Sequence, residues 1–281
     1  MTITAKIITD SISNNIRLTT FQLRYPRFIH GEYMTHRVFS RNASSSRAIP
    51  VKKLISDIIE DTAMPIHWGK NRPGMQANEE HYDLLQINDE NLSREEAWLK
   101  ARDSAIEIAT QFMHAGYHKQ IVNRILEPFS HISVVCTATD FNNFFALRSH
   151  EDAQPEIKCL SDKMIEELAN SIPNQLETGM WHLPYVLESE NYLPLETKRK
   201  ISVARCARVS YLRHDGTTPD ITKDVELHDV LVVSRPLHAS PAEHQATPDT
   251  LTNNNWDNPA KHGNLRGYIQ YRKTLPFEYV A

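Results

Sequence analysis

The chain has 281 residues, with 31 lysines and arginines against 35 aspartates and glutamates and a formal net charge of -4. With 40% hydrophobic and 23% charged residues it can bury a substantial core, which argues against wholesale disorder. The acidic balance disfavours a protein that coats nucleic acid, and no apolar run approaches the roughly 18 residues that span a bilayer. Three scattered cysteines without a CxxC pair, and no signal-like apolar stretch, lead us to expect a cytoplasmic protein.

The first half of the chain alternates strand and helix patterns. Alternating β-branched and aromatic residues predict a strand at 16–25, closed by Pro26, and an apolar run predicts a buried strand at 131–137. Apolar residues at helical spacing predict three helices, at 51–61, 93–112 and 121–126. The second of these begins with a capping-box pattern and is expected to bury one face, formed by Trp98, Ala101, Ala105, Ile108, Ala109 and Phe112. Prolines and glycines predict an irregular loop at 64–86.

The second half is mainly helical in pattern. Asp140 is placed to cap a helix that carries Arg148. The next helix, predicted at 156–172, should turn Ile165 and its apolar neighbours inward. A loop-like region is predicted at 173–194, and further helices at 201–211 and 224–233. The fold class is therefore mixed, and α+β in particular.

The densest polar cluster is THRVFSRNASSSR, from Thr35 to Arg47. It contains three guanidinium groups, one imidazole, one amide and four serine hydroxyls. Arginine forks bind phosphate in a bidentate manner, and serine hydroxyls supply short donors beside them. Because the chain has only 8 glycines and no glycine-rich phosphate loop, side chains would have to hold a phosphate. The cluster predicts such an anion site, with a solvated loop as the alternative.

Two further clusters combine polar and apolar side chains. In FFALRSHEDAQPEI, Arg148 either stacks on a planar ligand or extends outward from an amphipathic helix. In HASPAEH, His238 and Glu243 lack a third metal ligand at convincing spacing, so no metal site is predicted. Arg124 in NRILEP is a lone arginine on an apolar helix, for which a structural role is the simpler interpretation.

Together these clusters resemble the flavin-dependent thymidylate synthases, the ThyX family. The family motif RHRxxSxNxxSxR is reproduced from His36 to Arg47, and only its first arginine is replaced, by Thr35. NRILEP resembles the family's ARxVLP segment, with Arg124 in the arginine position. NNFFALR and AQPEI resemble its NFxxLR and AQWEI sequences and align four residues with them: Asn143, Arg148, Gln154 and Glu156.

The order of these pieces differs from that of the conventional family. Segments resembling ARVSY and H-x-SPFEH, here at 207–211 and 238–244, follow the RHR-type motif instead of preceding it. Since domain termini often lie close together, a circular permutation is physically tolerable. We expect one permuted ThyX-like domain with a mixed or antiparallel sheet and flanking helices, in a long form similar to phage-encoded versions, which would place it in the host cytoplasm. Its expected parts are the motif and nucleotide-binding helices at 1–172, a linker at 173–200, the normally N-terminal segment at 201–247 and a tail at 248–281.

The resemblance implies an enzyme that transfers a one-carbon unit from 5,10-methylenetetrahydrofolate to dUMP, with FAD, reduced by NADPH, as the hydride donor. It implies a homotetramer with interfacial active sites, and no nucleic-acid or membrane partner. The residues that it assigns to FAD are His36, Arg37, Asn143, Ser210, Ser240 and Glu243. Those that it assigns to dUMP are Ser45, Ser46, Arg47, Arg124 and Arg148, the last at the uracil as the catalytic residue. In such chemistry the cofactor carries the hard step while the protein positions and polarises.

Five positions depart from the family pattern: Glu32, Thr35, Ala43, Thr137 and Thr139. Thr137 and Thr139 stand where the family has Asn and Arg facing the flavin. The missing arginine at Thr35 costs about 1.5–3 kcal/mol if a charged hydrogen bond is lost, and Arg41 or Arg266 is a candidate to offset that loss. Two alternatives therefore stay open: a pyrimidine-nucleotide hydroxymethylase on the same scaffold, and a nucleotide-binding relative without catalysis. A nucleic-acid-binding interpretation of GNLRGYIQYRK is disfavoured by the acidic balance.

Overall fold

A five-stranded mixed sheet forms the centre of the computed structural model, which describes residues 2–210, 217 and 220–278. The strands in chain order are β1 (Thr4–Ser13), β2 (Ile16–Pro26), β3 (Ser40–Ala43), β4 (Leu85–Ile87), β5 (Glu90–Leu92), β6 (His131–Ala138), β7 (Asn174–Gln175), β8 (Ala246–Pro248), β9 (Leu251–Thr252), β10 (Asn255–Trp256) and β11 (Tyr268–Gln270). The helices are α1 (His30–Tyr33), α2 (Val51–Glu60), α3 (Arg94–His114), α4 (Lys119–Leu126), α5 (Asn142–Arg148), α6 (Pro155–Asn170), α7 (Leu195–Arg208) and α8 (Ile221–Val232). This arrangement confirms the α+β class.

The order of strands in the sheet is β3-β6-β2-β1-β7. The first four strands pair antiparallel, and β7 adds a short parallel pairing to β1. Asn14 and Asn15, both at positive φ, form the tight turn of the β1–β2 hairpin, a backbone conformation that asparagine tolerates well. The strands predicted at 16–25 and 131–137 are confirmed as β2 and β6. Two further strands of this sheet were not predicted from the sequence: β1, and β3 within the serine-rich cluster.

The two faces of the sheet are covered by different parts of the chain. Apolar residues of β2 and β6, including Phe21 and Val134, pack with α5 and α6 on one face. On the other face Val135 packs against Tyr185 and Cys206, the latter from α7. Alternation along the strands therefore sends successive residues into two separate cores.

The predicted helices are confirmed, with adjusted ends and two corrected faces. Ser93 and Glu96 form the expected capping box of α3, with hydrogen bonds of 3.2 and 2.8 Å. Ala101 and Ile108 are exposed, because α3 packs along a narrower stripe that contains Ala105 and Ala109. Ile165 on α6 was also expected to face inward, and it is exposed.

The segment expected as an irregular loop, 64–86, is irregular but firmly attached. The Glu156 carboxylate at the beginning of α6 accepts from the Ile66 amide at 2.8 Å. The Trp98 indole donates to the Ala63 carbonyl at 3.0 Å and packs edge-on against Trp68. The segment therefore bridges α3 and α6.

Residues 173–200 pack against the rest of the chain. They include β7, buried His182 and Tyr185, and the first turns of α7, which begins at Leu195 and so earlier than the predicted position 201. The fully buried guanidinium of Arg205 donates to Glu190 and Asp224 and joins this region to α8. None of the helices in the described part of the chain has the length and apolar character to cross a membrane.

Candidate functional site

The RHR-type motif lies directly against the late His–Pro turn. Asn42 on β3 contacts Ser240, which is 198 residues later in the chain and begins the 3-10 turn Ser240–Glu243. The amide of Asn42 also lies 3.0 Å from Nε2 of His244. The early arginine–serine segment and the late His–Pro turn therefore lie beside each other in the fold.

A second contact links the motif to α5. Arg148 Nε donates to Nε2 of His36 at 2.9 Å, and its Nη2 donates to the Thr35 hydroxyl at 3.3 Å. His36 packs edge-on against Phe144 and nearly parallel to Phe39, which forms an aromatic floor under the pair. Burial, followed by the charges of Arg148 and a second arginine, lowers the pKa of His36 below its ordinary value. His36 is therefore a neutral ring that carries its proton on Nδ1 and offers that N–H as a donor.

Arg41 holds the backbone of the motif. Its Nη1 donates to the carbonyl oxygens of Tyr33, Met34 and His36 at 2.9–3.4 Å, at the end of α1. These hydrogen bonds fix one end of the guanidinium. Arg41 and Arg266 both stay candidates to offset the missing arginine at Thr35, and Arg266 is exposed in the same loop as Asn264.

Two of the expected nucleotide-binding residues, Ser46 and Arg124, contact Glu127, a residue that the sequence did not single out. Ser46 Oγ donates to this carboxylate at 2.6 Å, and Arg124 Nη1 donates to both of its oxygens at 3.2 Å. Arg27 lies 3.7 Å from the same carboxylate. Arg124 is 60% exposed, so one face of its guanidinium stays open to a ligand.

Several predicted site residues are on the surface. Ser45 and Arg47 are exposed beside the buried Ser46, and Arg37 and Asn143 are exposed on the α1–β3 connection and on α5. Exposed donors of this kind can reach a ligand, or a second subunit that covers it. Arg37 and Arg47 are the two cationic residues among them.

The two remaining predicted cofactor residues are Glu243, which contacts the tail, and Ser210, just after the end of α7. Glu243 pairs with Arg272, so its carboxylate is engaged within the chain. Ser210 follows α7 and its amide donates to the Arg205 carbonyl at 3.3 Å. Tyr211, the last residue of the ARVSY-like segment, lies outside the described residues.

Both tyrosines of GNLRGYIQYRK contact other parts of the chain. Tyr268 is buried and donates to the Ile16 carbonyl at 2.7 Å. The ring of Tyr271 packs against Trp181 and beneath the guanidinium of Arg199. The tyrosines of GNLRGYIQYRK are thus packed against the protein.

Thr20 and His182, which the sequence did not single out, connect the site to the centre of the sheet through Thr137. Thr137, one of the five departures, is fully buried and lies 2.6 Å from Thr20 and 2.8 Å from His244. His182 contacts the same Thr20 at 2.8 Å. Two polar residues at facing positions of buried strands, Thr20 and Thr137, were the available signal.

The side chains present fit a flavin in part. The exposed groups of Arg37, Asn143 and Ser240, and the Nδ1–H of His36, are available to a bound cofactor. Thr137 and Glu243 are engaged inside the chain and offer less. In the described part of the chain, no group of three or more His, Cys, Asp and Glu side chains has the arrangement of a metal site.

Two crystal structures of the UMP/dUMP methylase PolB from Streptomyces cacaoi align with the chain. The complex with 5-Br UMP is 17% identical, covers 60% of this chain and 89% of that chain, and gives a TM-score of 0.48. The complex with 5-Br dUMP is 15% identical, with coverages of 60% and 90% and a TM-score of 0.44. No curated protein sequence matches significantly.

The family model provides the decisive comparison. The model described as Thymidylate synthase complementing protein, Thy1, matches residues 16–174, which is more than half of the chain. That range contains the RHR-type motif, Arg124 and the α5 helix with Arg148. The chain belongs to the thymidylate synthase complementing protein family, ThyX.

Proposed function

We propose that this protein is a flavin-dependent thymidylate synthase that converts dUMP to dTMP with a one-carbon unit from 5,10-methylenetetrahydrofolate. The contact between Asn42 and Ser240 carries the proposal. It brings the two halves of the family's motif set into one site although they are far apart in this sequence. Membership of the ThyX family supports the substrate class.

The nucleotide phosphate binds, in this proposal, at the cationic surface around Ser46. Ser45 and Arg47 supply exposed donors, and Arg124 is oriented by Glu127 so that its open face meets the phosphate. Charge-assisted bidentate bonds from arginine are the strong class of such contacts. Ser46 supports this surface from within the protein, because its hydroxyl donates to the Glu127 carboxylate that orients Arg124.

The uracil ring lies beside Arg148. This side chain already uses Nε and Nη2 on His36 and Thr35, which fixes the plane of the guanidinium. Its other N–H bonds can then donate to a pyrimidine carbonyl and favour the ionised ring. A guanidinium held from two sides needs little reorganisation when charge develops on the substrate.

The flavin is held by His36, Arg37, Asn143 and Ser240, with contributions from Ser210 and Glu243. When bound and reduced by NADPH, FAD supplies the hydride that completes the methyl group. The residues of this chain bind and orient the reactants and exclude water, and the mechanism requires no cysteine nucleophile. Cys136 and Cys206 are buried and Cys159 is half-buried, and burial raises the thiol pKa of all three, which agrees with this division of labour.

The permuted order and the homotetramer belong to the same proposal. The family match ends at 174, whereas the ARVSY-like and SPFEH-like segments lie beyond it and the second of them packs on β3. Apolar Met34, Val38 and Leu147 are exposed beside the motif and beside Arg148, as expected for a surface that another copy covers. Val38→Asp should therefore lower the mass measured by light scattering.

The test of the function is product analysis. The protein is incubated with dUMP, methylenetetrahydrofolate, FAD and NADPH, and the nucleotide is examined by mass spectrometry. A methyl group on the base supports the proposal, and a hydroxymethyl group supports the hydroxymethylase instead. No conversion, together with a colourless protein that fails to take up added FAD, supports a nucleotide-binding relative. Arg148→Lys, which keeps the charge but loses the planar fork, is the matched variant.

A further inference from the structure

A continuous series of hydrogen bonds runs from the site surface through the sheet. We call it the polar chain, and its members in spatial order are Ser240, Asn42, His244, Thr137, Thr20, His182 and Ser11. Its six links measure between 2.6 and 3.2 Å. The members from His244 to Ser11 are buried, whereas Ser240 is exposed at the site. The polar chain thus joins residues from β1, β2, β3 and β6 to the late segment that covers them.

Because the two histidines are neutral, the hydrogen bonds of the polar chain must all run in one direction. Burial lowers the pKa of His182 and of His244 to about 3, so both rings are neutral at physiological pH. A neutral imidazole has one N–H donor and one acceptor nitrogen, and each threonine hydroxyl has one proton to donate. A threonine that accepted on both sides would leave its buried proton without a partner, so every internal member donates on one side and accepts on the other. Reversing donor and acceptor at one link therefore reverses them at all links.

The amide of Asn42 decides which direction is taken. One end of this amide lies 3.0 Å from His244 Nε2, 3.1 Å from the carbonyl oxygen of Ser240 and 3.3 Å from that of Arg41. Carbonyl oxygens only accept, so the end that faces two of them is the NH2 group. The amide oxygen then lies at the other end and accepts from Ser240 Oγ at 3.2 Å.

The remaining protons follow from this orientation. Because Asn42 donates to Nε2 of His244, that ring carries its proton on Nδ1 and donates to Thr137. Thr137 then donates to Thr20, and Thr20 donates to Nε2 of His182. His182 in turn carries its proton on Nδ1 and donates to Ser11.

We propose that the Asn42 amide fixes the polarity of the polar chain and thereby presents Ser240 to its ligand as a hydrogen-bond acceptor. The Ser240 proton is used on Asn42, so only the oxygen lone pairs remain for a bound molecule. A ligand group placed there must carry an N–H or O–H. The buried members are positioning residues, because they act on the ligand only through Asn42 and Ser240. The role of Ser240 at a ligand rests on the proposed function, whereas the polarity does not.

The polarity is measured directly by NMR of protein labelled with 15N at histidine, without any ligand. Long-range correlation spectra distinguish Nδ1–H from Nε2–H rings. Both His182 and His244 are expected as Nδ1–H forms that stay neutral down to about pH 4. An Nε2–H form at either residue overturns the proposal. This result is independent of whether the protein binds flavin or turns over dUMP.

A pair of variants tests whether Asn42 is the cause. Asn42→Leu keeps the approximate volume but removes the donor, so both histidines should lose their single Nδ1–H form and show a mixture. Ser240→Ala leaves the two carbonyls and the amide in place, so both rings should keep Nδ1–H. Unchanged tautomers in a folded Asn42→Leu protein would contradict the assignment. If that variant fails to fold, the wild-type tautomers and Ser240→Ala still decide the polarity.

The role of Ser240 at its ligand is tested with FAD, whose binding is measured by the quenching of flavin fluorescence. Ser240→Ala should weaken FAD binding about tenfold, the size of one neutral hydrogen bond. Ser240→Thr should restore it, because threonine offers the same oxygen. Equal affinity of wild type and Ser240→Ala overturns the acceptor role at the flavin. Failure of the wild type itself to bind FAD contradicts the proposed function and leaves the NMR test of polarity in force.

Discussion

Arg148 and His36 are joined by a hydrogen bond of 2.9 Å between Nε and Nε2, across 112 positions of sequence. The bond ties the residue expected at the uracil to a residue expected at the flavin. It fixes the tautomer of His36 and places a permanent positive charge beside it. Under the proposed function, this one contact positions the groups that meet both reactants.

Arg148→Ala should raise the pKa of His36, because the loss of the positive charge favours the imidazolium form. We expect turnover of dUMP to fall by about 100-fold or more, as when a preorganised donor is removed from an active site. The pKa is measured by titration of the His36 ring signals by NMR. Arg148→Lys is the control, in which the pKa should stay low while turnover still falls. A near wild-type rate in Arg148→Ala would show that the uracil contact is assigned wrongly.

The two buried histidines of the polar chain should make the protein sensitive to acid. In the unfolded chain a histidine titrates near 6.5, whereas His182 and His244 have a folded pKa of about 3. Between these values the unfolded state binds more protons, so the free energy of unfolding falls as pH drops below 6.5. Each group should remove about 2 kcal/mol between pH 7 and pH 5. Above pH 6.5 the rings are neutral in both the folded and the unfolded state, so this loss of stability is absent.

Urea unfolding at pH 7 and at pH 5 checks this effect. His182→Gln should reduce the difference between the two pH values by about 2 kcal/mol, since one of the two groups no longer titrates. The matched control is His114→Gln, at an exposed position of α3, which should leave the difference unchanged. A pH difference that is the same in wild type and His182→Gln would argue against the buried neutral ring.

Arg47→Ala should weaken dUMP binding by about 10- to 100-fold, the size of a lost charged hydrogen bond of about 1.5–3 kcal/mol. The side chain is exposed in the serine-rich segment and is expected at the phosphate. Titration calorimetry with dUMP measures the change, and deoxyuridine, which lacks the phosphate, is the control ligand. Deoxyuridine binding should not change. Unaltered dUMP affinity would remove Arg47 from the phosphate site.

Gly69→Ala should destabilise the 64–86 segment. A Cβ at Gly69 clashes with Cβ of Ala77 and lies 2.8 Å from its carbonyl oxygen, so the backbone must shift. Overpacking of this kind costs about 1–3 kcal/mol. Urea unfolding reports the loss, and limited proteolysis reports whether cleavage moves into the segment.

Gly31→Ala is the matched control for this substitution. Gly31 lies in α1, and nothing lies within 4 Å of a Cβ built there. Alanine should stabilise the protein by about 0.4–1 kcal/mol, because it restricts the unfolded chain and fits a helix. Equal effects of the two substitutions would mean that the close packing at Gly69 has no energetic weight.

Local patterns of the sequence were sufficient for the helices, for β2 and β6, and for the family motifs. The capping box at Ser93 and the apolar spacing in α2 involve residues within a few positions of each other, so the sequence displays them directly. The exposure of individual side chains within a helix was harder to predict from the sequence. Ile108 and Ile165 lie at the margins of their apolar stripes, and the packing partner decides where each stripe ends.

The composition and motifs of the chain determined its class, its family and the residue types available for chemistry. Tertiary structure alone decided that Arg148 meets His36, that Glu127 orients Arg124, and that β1 closes the hairpin. It also placed Thr137 inside the polar chain. The Arg148–His36 contact and the polar chain join groups that lie far apart in sequence. Glu127, by contrast, follows Arg124 by three residues at the end of α4, and β1 and β2 are joined by a two-residue turn. The energy of a buried polar group depends on whether a partner lies within about 3 Å, which only the folded chain establishes.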